Sequence, residues 1–157
     1  MISKDEFRQA LGRFASGVTV VTSKDADGNL HGITVSAFCS VSLEPPLVLV
    51  CIDHQTVMHG VLGGSSAFAI NVLAVDQEDL ARKFSDPDNN RFDGTPFTRG
   101  NNGAPALTGA AATLECAMVE RYEGGDHTIF VGRVETAESN DAPPLLYYRG
   151  GYARLER

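Results

Sequence analysis

Between Gly32 and Pro46 the chain reads GITVSAFCSVSLEPP, where small hydroxylated residues sit among apolar ones. In an extended strand successive side chains face opposite ways, so Thr34, Ser36 and Phe38 share one face and Ile33, Val35 and Ala37 the other. A row of hydroxyls and accessible backbone ending in Glu44-Pro45-Pro46 suits a flat polar ligand that takes many short hydrogen bonds and tolerates little bulk. That is a cofactor-like surface. The competing reading is two half-buried strands joined at a bend, since Thr and Ser are ordinary strand residues.

Other chemistries find less support. His31, His54, His59 and His127 have no metal-ligand spacing and form no H-E-x-x-H pattern, so no metal is expected. DADGN, residues 25 to 29, imitates the start of a calcium loop, but its glycine falls at the fourth place and Ser36 stands where a bidentate Glu is needed. GGSSA lacks the second glycine of a nucleophile elbow, and no cysteine has a histidine interpretably beside it. Neither G-x-G-x-x-G after a strand nor G-x-x-x-x-G-K-[ST] occurs, so a nucleotide would be held by another device. Lys and Arg number 13 against 20 Asp and Glu, a net charge of −7, and no basic cluster offers a footprint for nucleic acid. Cys39, Cys51 and Cys116 form no C-x-x-C pair and read as buried free thiols in a reducing compartment. The amino terminus has no apolar h-region, and nowhere do about eighteen apolar residues run together, so a soluble cytoplasmic protein without membrane contact is expected.

The positioning elements follow from periodicity. Ser3 and Glu6 form a capping box, and Phe7, Ala10, Leu11 and Phe14 recur at helical spacing until Gly17. VTVVTS (18 to 23) and the 32 to 36 run make a hairpin across the 25 to 29 turn. LVLVCI (47 to 52) and AFAINVL (67 to 73) are apolar on both faces and read as central strands, with two helical turns between them ended by Gly63-Gly64. Asp76 is expected to cap a short helix through about Phe84, and 85 to 104 reads as a long polar loop. Residues 112 to 122 and 127 to 138 form a hairpin, and PLLYYRGGYARL adds one or two short strands. At 157 residues the length fits one domain, 1 to 157. About seven hairpin-connected strands with three short helices predict a mainly β, closed or nearly closed antiparallel barrel rather than a Rossmann domain.

RFASGVTVVT (13 to 22), GITVSAFCSVSLEPPLVLVCI (32 to 52), FAINVL (68 to 73), FS (84 to 85) followed by RF (91 to 92), GDHTIFVGRV (125 to 134) and PLLYYRGGY (144 to 152) resemble, in order and over nearly the whole chain, the flavin reductase-like family. The resemblance implies an antiparallel split β-barrel, the Greek-key FMN-binding split barrel. It also implies a homodimer that binds FMN or FAD and takes a hydride from NADH or NADPH, in many members supplying reduced flavin to a separate monooxygenase. Carried over by position, it puts Thr34, Val35, Ser36 and Ala37 along the isoalloxazine, continues the flavin contacts through Cys39, Ser40, Val41 and Ser42, and assigns Thr56 to the phosphate. Family members often carry Arg or Lys just before that hydroxyl, whereas this chain reads Asp53-His54-Gln55-Thr56. Arg82 or Lys83, beside Phe84 and Ser85, are then candidates for the phosphate, and Arg91 with Phe92 matches a basic-aromatic pair. His127, after Gly125-Asp126, matches a histidine on the nicotinamide side, and Tyr152 borders the same pocket. A flavin-binding carrier or sensor without turnover is the alternative, and the intact GDHTIFVGRV favours the enzyme.

Overall fold

The computed structural model describes residues 1–88 and 90–156. The chain opens with α1 (Lys4–Leu11), whose capping box is present: Glu6 N–H donates to Ser3 Oγ (3.1 Å) and Ser3 N–H to Glu6 Oε2 (2.9 Å). The helix ends at Gly12 rather than Gly17, because Ser16–Gly17 is drawn into a short strand, β1. β2 (Thr19–Lys24) and β3 (Leu30–Val35) follow as the expected hairpin. Asp25 Oδ1 holds its turn by accepting from the N–H groups of Asp27 (3.0 Å) and Asn29 (2.9 Å).

The remaining elements are β4 (Phe38–Leu43), β5 (Pro46–Asp53), α2 (Val57–Gly64), β6 (Ala67–Val72), α3 (Glu78–Lys83), β7 (Phe97–Arg99), β8 (Pro105–Leu107), β9 (Ala112–Gly124), β10 (His127–Ser139), β11 (Leu145–Tyr148) and β12 (Gly151–Arg154). Seven strands form one antiparallel sheet in the order β3-β2-β6-β9-β10-β5-β4. Its outer strands, β3 and β4, are consecutive in the chain and joined by Ser36 and Ala37 alone. Six interstrand gaps would separate the edges of a flat sheet by about 29 Å, yet three peptide steps from Val35 to Phe38 reach at most about 11 Å. The sheet must therefore coil until its edges meet. Among the described residues no ladder joins β3 to β4 and the seam stays split; Cys51 N–H donates to Ala37 O (3.0 Å), which carries the β4–β5 pairing into the link.

Two apolar clusters share this wall. The barrel interior gathers Val21, Val35, Val50, Ile52, Leu62, Phe68, Ile70 and Phe130. A second layer outside it gathers Val18, Val20, Leu73, Phe84, Leu107 and Leu145. β2 lies between them, so its residues from Thr19 to Ser23 are buried on both faces. Asn71, fully buried on β6, stitches the layers: its Nδ2 donates to Val20 O (3.0 Å) and Thr22 Oγ1 (3.2 Å), and its Oδ1 accepts from Leu107 N–H (2.9 Å).

Several sequence expectations are corrected. Asp76 does not cap α3. Gln77 takes the N-cap position without a side-chain bond into the helix, because its Oε1 instead accepts from Ala74 N–H (2.9 Å). The polar stretch from 85 to 104 carries β7, paired with β8, and Phe97 is anchored edge-on to Phe92 at 5.4 Å. β5 and β6 are both interior strands, as expected, with β5 lying next to the edge strand β4. Of the three cysteines Cys116 is buried, its thiol pushed up to about 12 chiefly by desolvation, Cys51 is partly buried, and Cys39 is exposed because β4 is an edge. Among the described residues no helix is long and apolar enough to cross a membrane.

Gly132 tests the packing argument. A Cβ there would lie 2.6 Å from Phe68 Cζ and 2.9 Å from Cys116 Cβ, both in the barrel core. Gly132→Ala is expected to destabilise the fold by about 1–3 kcal/mol. Gly60→Ala, in α2 where an added methyl meets nothing, is expected to stabilise by about 0.5–1 kcal/mol. Urea midpoints of the two variants check the contrast, and equal midpoints would refute it.

Candidate functional site

A cleft of about 590 Å³ opens two residues short of the Ser36–Ala37 bend, lined by Leu30 to Thr34 of β3, by Gln55 to Met58 at the start of α2, and by residues between Ser85 and Phe92. Each wall is held by a traceable contact. Thr34 donates its N–H to Phe84 O (3.2 Å) and its hydroxyl to Ala81 O (2.7 Å), and Ser85 donates its hydroxyl to the same Ala81 carbonyl (2.9 Å). Gly32 is required by close approach, since a Cβ would sit 2.7 Å from the buried ring of Phe84. Phe84 stacks edge-on with Phe92 at 5.2 Å. Arg91 donates to Gly32 O and, at 3.2 Å, to Asp86 O, and burial holds its pKa below the ordinary arginine value. These bonds fix the guanidinium while leaving further N–H groups of its five for a ligand.

Thr56 is the N-cap of α2: its Oγ1 accepts from His59 N–H (3.2 Å) and donates to Asp53 O (2.8 Å). The first turn of α2 contains no acidic residue, whereas α1 and α3 open with Asp5-Glu6 and Glu78-Asp79. Thr56 caps only the His59 N–H, so the N–H groups of Val57 and Met58 and the positive end of the dipole have no acidic side chain within the first turn, an arrangement suited to an anion.

Beyond the cleft, Ser36 and Ala37 are exposed at the seam, and their N–H groups take part in none of the hydrogen bonds found among the described residues. Val35 turns into the core and its carbonyl accepts from Thr19 Oγ1 (2.6 Å). Cys39, Ser40 and Val41 are exposed along the edge strand β4, and Ser42 is half-buried. His127 opens β10, paired in register with Asp53 at the end of β5, so the loop that supplies Thr56 starts beside it. Asp126 Oδ1 lies 2.7 Å from His127 Nδ1, and that hydrogen bond holds the Asp126 carboxyl below the usual carboxylate range.

The structure brings Thr34, Thr56, Ser85, Arg91 and Phe92 to one cleft, with Phe84 beneath it, and leaves other candidates outside. Arg82 pairs with Glu78 (3.1 Å) and lies over the Tyr152 ring, 4.9 Å from its centre. Lys83 Nζ is committed to Asp93 O and Thr95 Oγ1. Both cations serve the protein's own surface, and Tyr152 packs with Arg82 and with Tyr147 rather than on the cleft.

Sequence reasoning missed His31, which lines the cleft with its Nε2 2.9 Å from Asp25 Oδ2. That hydrogen bond, with the backbone and side-chain donors of Asn29 and Asp27, lowers the Asp25 carboxyl to about 2. The DADGN turn was the available signal, since its first Asp both builds the turn and reaches the strand behind it.

The flavin reductase like domain model matches residues 11–156. A relative from Rhizobium meliloti (strain 1021) is 43% identical over 92% of this chain, which spans about half of that protein (47%). The reductase component of 4-nitrophenol 4-monooxygenase/4-nitrocatechol 2-monooxygenase from Rhodococcus opacus is 40% identical over 98% of this chain and 82% of its own length. The solved NADH:FAD oxidoreductase of Streptomyces globisporus, in complex with NAD and FAD fragments, superposes with a TM-score of 0.94 at 42% identity, over 98% of this chain and 93% of that one. A family match over all but the first ten and the last residue, on a barrel split where the expected surface segment turns, means that the chain belongs to the flavin reductase like domain family.

Proposed function

We propose that the protein is an NAD(P)H-dependent flavin reductase that takes FMN or FAD at the seam and cleft and acts as a homodimer, supplying reduced flavin to a partner monooxygenase. The observation that carries the reading is the pair of uncommitted Ser36 and Ala37 N–H groups at the seam, two residues from a cleft lined by Arg91 and by the start of α2. Such a surface fits a flat ring with several acceptor atoms at one end and a phosphate at the other. Flavin, when bound, supplies a ring that accepts a hydride and passes electrons onward. Ser36 and Ala37 then donate to the ring's acceptors, with Cys39, Ser40, Val41 and Ser42 extending the contact along β4. Arg91 and the Thr56 end of α2 offset the phosphate charge, in place of the basic residue that Asp53-His54-Gln55 lacks.

His127 faces the other reactant. With Nδ1–H donated to Asp126, its Nε2 is left as an acceptor that can orient a nicotinamide carboxamide. Holding two rings about 3–3.5 Å apart supplies most of the acceleration for hydride transfer, and no side chain need form a covalent bond.

The homodimer rests on α1, which is amphipathic yet buries none of its residues: Phe7 is 55% and Leu11 52% exposed, and Phe14, just past its end, is 80% exposed. Tyr147 and Tyr148 on β11 add exposed aromatic surface to be covered.

Three outcomes are expected. Purified protein oxidises NADH or NADPH in the presence of added FMN or FAD and binds flavin in a fluorescence titration; flavin binding without turnover would favour the carrier instead. His127→Ala leaves flavin affinity nearly intact and lowers kcat/KM for the nicotinamide by about 10–100-fold, or about 1.4–2.7 kcal/mol. Stopped-flow flavin reduction isolates that step, and a wild-type rate at every nicotinamide concentration would return His127 to a structural role. Light scattering at micromolar concentration gives twice the chain mass, as an interface above about 1,000 Å² requires; an active monomer would contradict the dimer.

A further inference from the structure

We propose that Thr128 is the hub of a side-chain network with His54, His59 and Glu123 that positions His127 for the nicotinamide. The inference rests on the role given to His127 above. Thr128 follows His127 on β10 and is 3% exposed, and strand alternation sends its side chain to the opposite face, into the protein. There its Oγ1 lies 2.8 Å from His59 Nε2, 3.1 Å from His54 Nε2 and 3.1 Å from Glu123 Oε1, while His54 Nε2 lies 2.9 Å from Glu123 Oε2.

Proton counting fixes the roles. An ionised Glu123 only accepts, so the single Thr128 hydroxyl proton goes to Oε1 and the hydroxyl must accept from His59. The second carboxylate oxygen then takes the Nε2–H of His54. Both imidazoles therefore carry the proton on Nε2, set by one hydroxyl and one carboxylate.

These four residues come from separate segments, and that gives the network its consequence. His59 belongs to the first turn of α2 and donates its N–H to the Thr56 cap. His54 donates its N–H to Asp126 O (3.0 Å), and Glu123 lies at the end of β9 opposite Thr128. The intervening turn contains Gly124 and Gly125, the latter at φ +67°, and so brings little side-chain packing of its own. The network thus clamps the turn carrying His127 against the loop and helix start carrying Thr56. The buried Thr128 hydroxyl needs a partner, but Glu123 does not, because its side chain is 74% exposed and water would serve it. Ordering so exposed a side chain costs rotamer entropy, which positional control of the neighbouring turn accounts for.

The test is kinetic and uses the whole protein. Thr128→Val keeps the branched shape and deletes the hydroxyl, and kcat/KM for NADH is expected to fall about 10-fold while flavin affinity stays within about twofold. Thr128→Ser restores the hydroxyl and is expected to recover the rate to within about twofold. In the His127→Ala background Thr128→Val should add nothing, because the network acts through that histidine. Glu123→Gln, at an exposed position that spares the core, should lower the NADH term about threefold and shift the 15N resonances of His54, because an amide offers one acceptor where the carboxylate offered two. A wild-type rate in Thr128→Val or Glu123→Gln, a Ser variant as slow as Val, or multiplicative losses in the double variant would overturn the proposal. A His127→Ala enzyme with unchanged flavin reduction would instead overturn the reading of His127. A further loss on adding Thr128→Val to that enzyme would show that the hydroxyl acts elsewhere.

Discussion

Two residues set the architecture. Ser36 and Ala37 join the opposite edges of a seven-stranded sheet, and a link that short is compatible only with a sheet coiled through nearly a full turn. Coiling creates an inside that Phe68, Phe130 and Ile70 fill, and it brings β3, the start of α2 and the 85–92 segment to one side of the seam. Because the link cannot pair as a strand with both neighbours, its N–H groups stay available. The feature that closes the fold is thus also the one that leaves a binding surface.

Around that seam the protein holds its cleft with backbone carbonyls rather than with free side chains. Ala81 O takes two hydroxyls, Gly32 O takes Arg91, and the Phe84 ring stands where any side chain on residue 32 would be. The β3 and 85–92 walls are therefore tied to α3 and the second apolar layer, while the α2 wall is anchored in the barrel interior through Met58. The buried Asn71 fastens that layer to β2 with every polar atom of its amide used. A rigid frame matters because two rings a few ångströms apart react only while their relative placement holds.

Charge is distributed to match. The chain is acidic overall, at −7, yet among the described residues no Asp or Glu lines the cleft, and Arg91 and the first turn of α2 make one end of it positive. Lys83 and Arg82, which lie close by in sequence, spend their charge on Asp93, Thr95, Glu78 and Tyr152. The positive end of the cleft is thus made of one fixed guanidinium and a helix terminus, and the two neighbouring cations serve the protein's own surface.

What could be read from the sequence was what short-range forces decide. The capping box at Ser3 and Glu6, the hairpin turn at Asp25, the two turns of α2 and the paired β9 and β10 depend on partners within a few residues or on simple alternation, and each lies where the pattern put it. Family-like segments also made Thr34, Thr56, Ser85, Arg91 and Phe92 legible as residues of one surface. The tertiary structure alone decided which polar side chains were already spent. Arg82 and Lys83 carry the right charge for a phosphate; Arg82 has Glu78 one turn back on α3, but the Tyr152 ring beneath it and the Asp93 and Thr95 partners of Lys83 lie on other segments. His54, His59, Glu123 and Thr128 look unrelated along the chain and meet around one hydroxyl. A hydrogen bond or an ion pair is settled by what stands within about 3–4 Å, and for these side chains those neighbours are brought there by the coiling of the sheet.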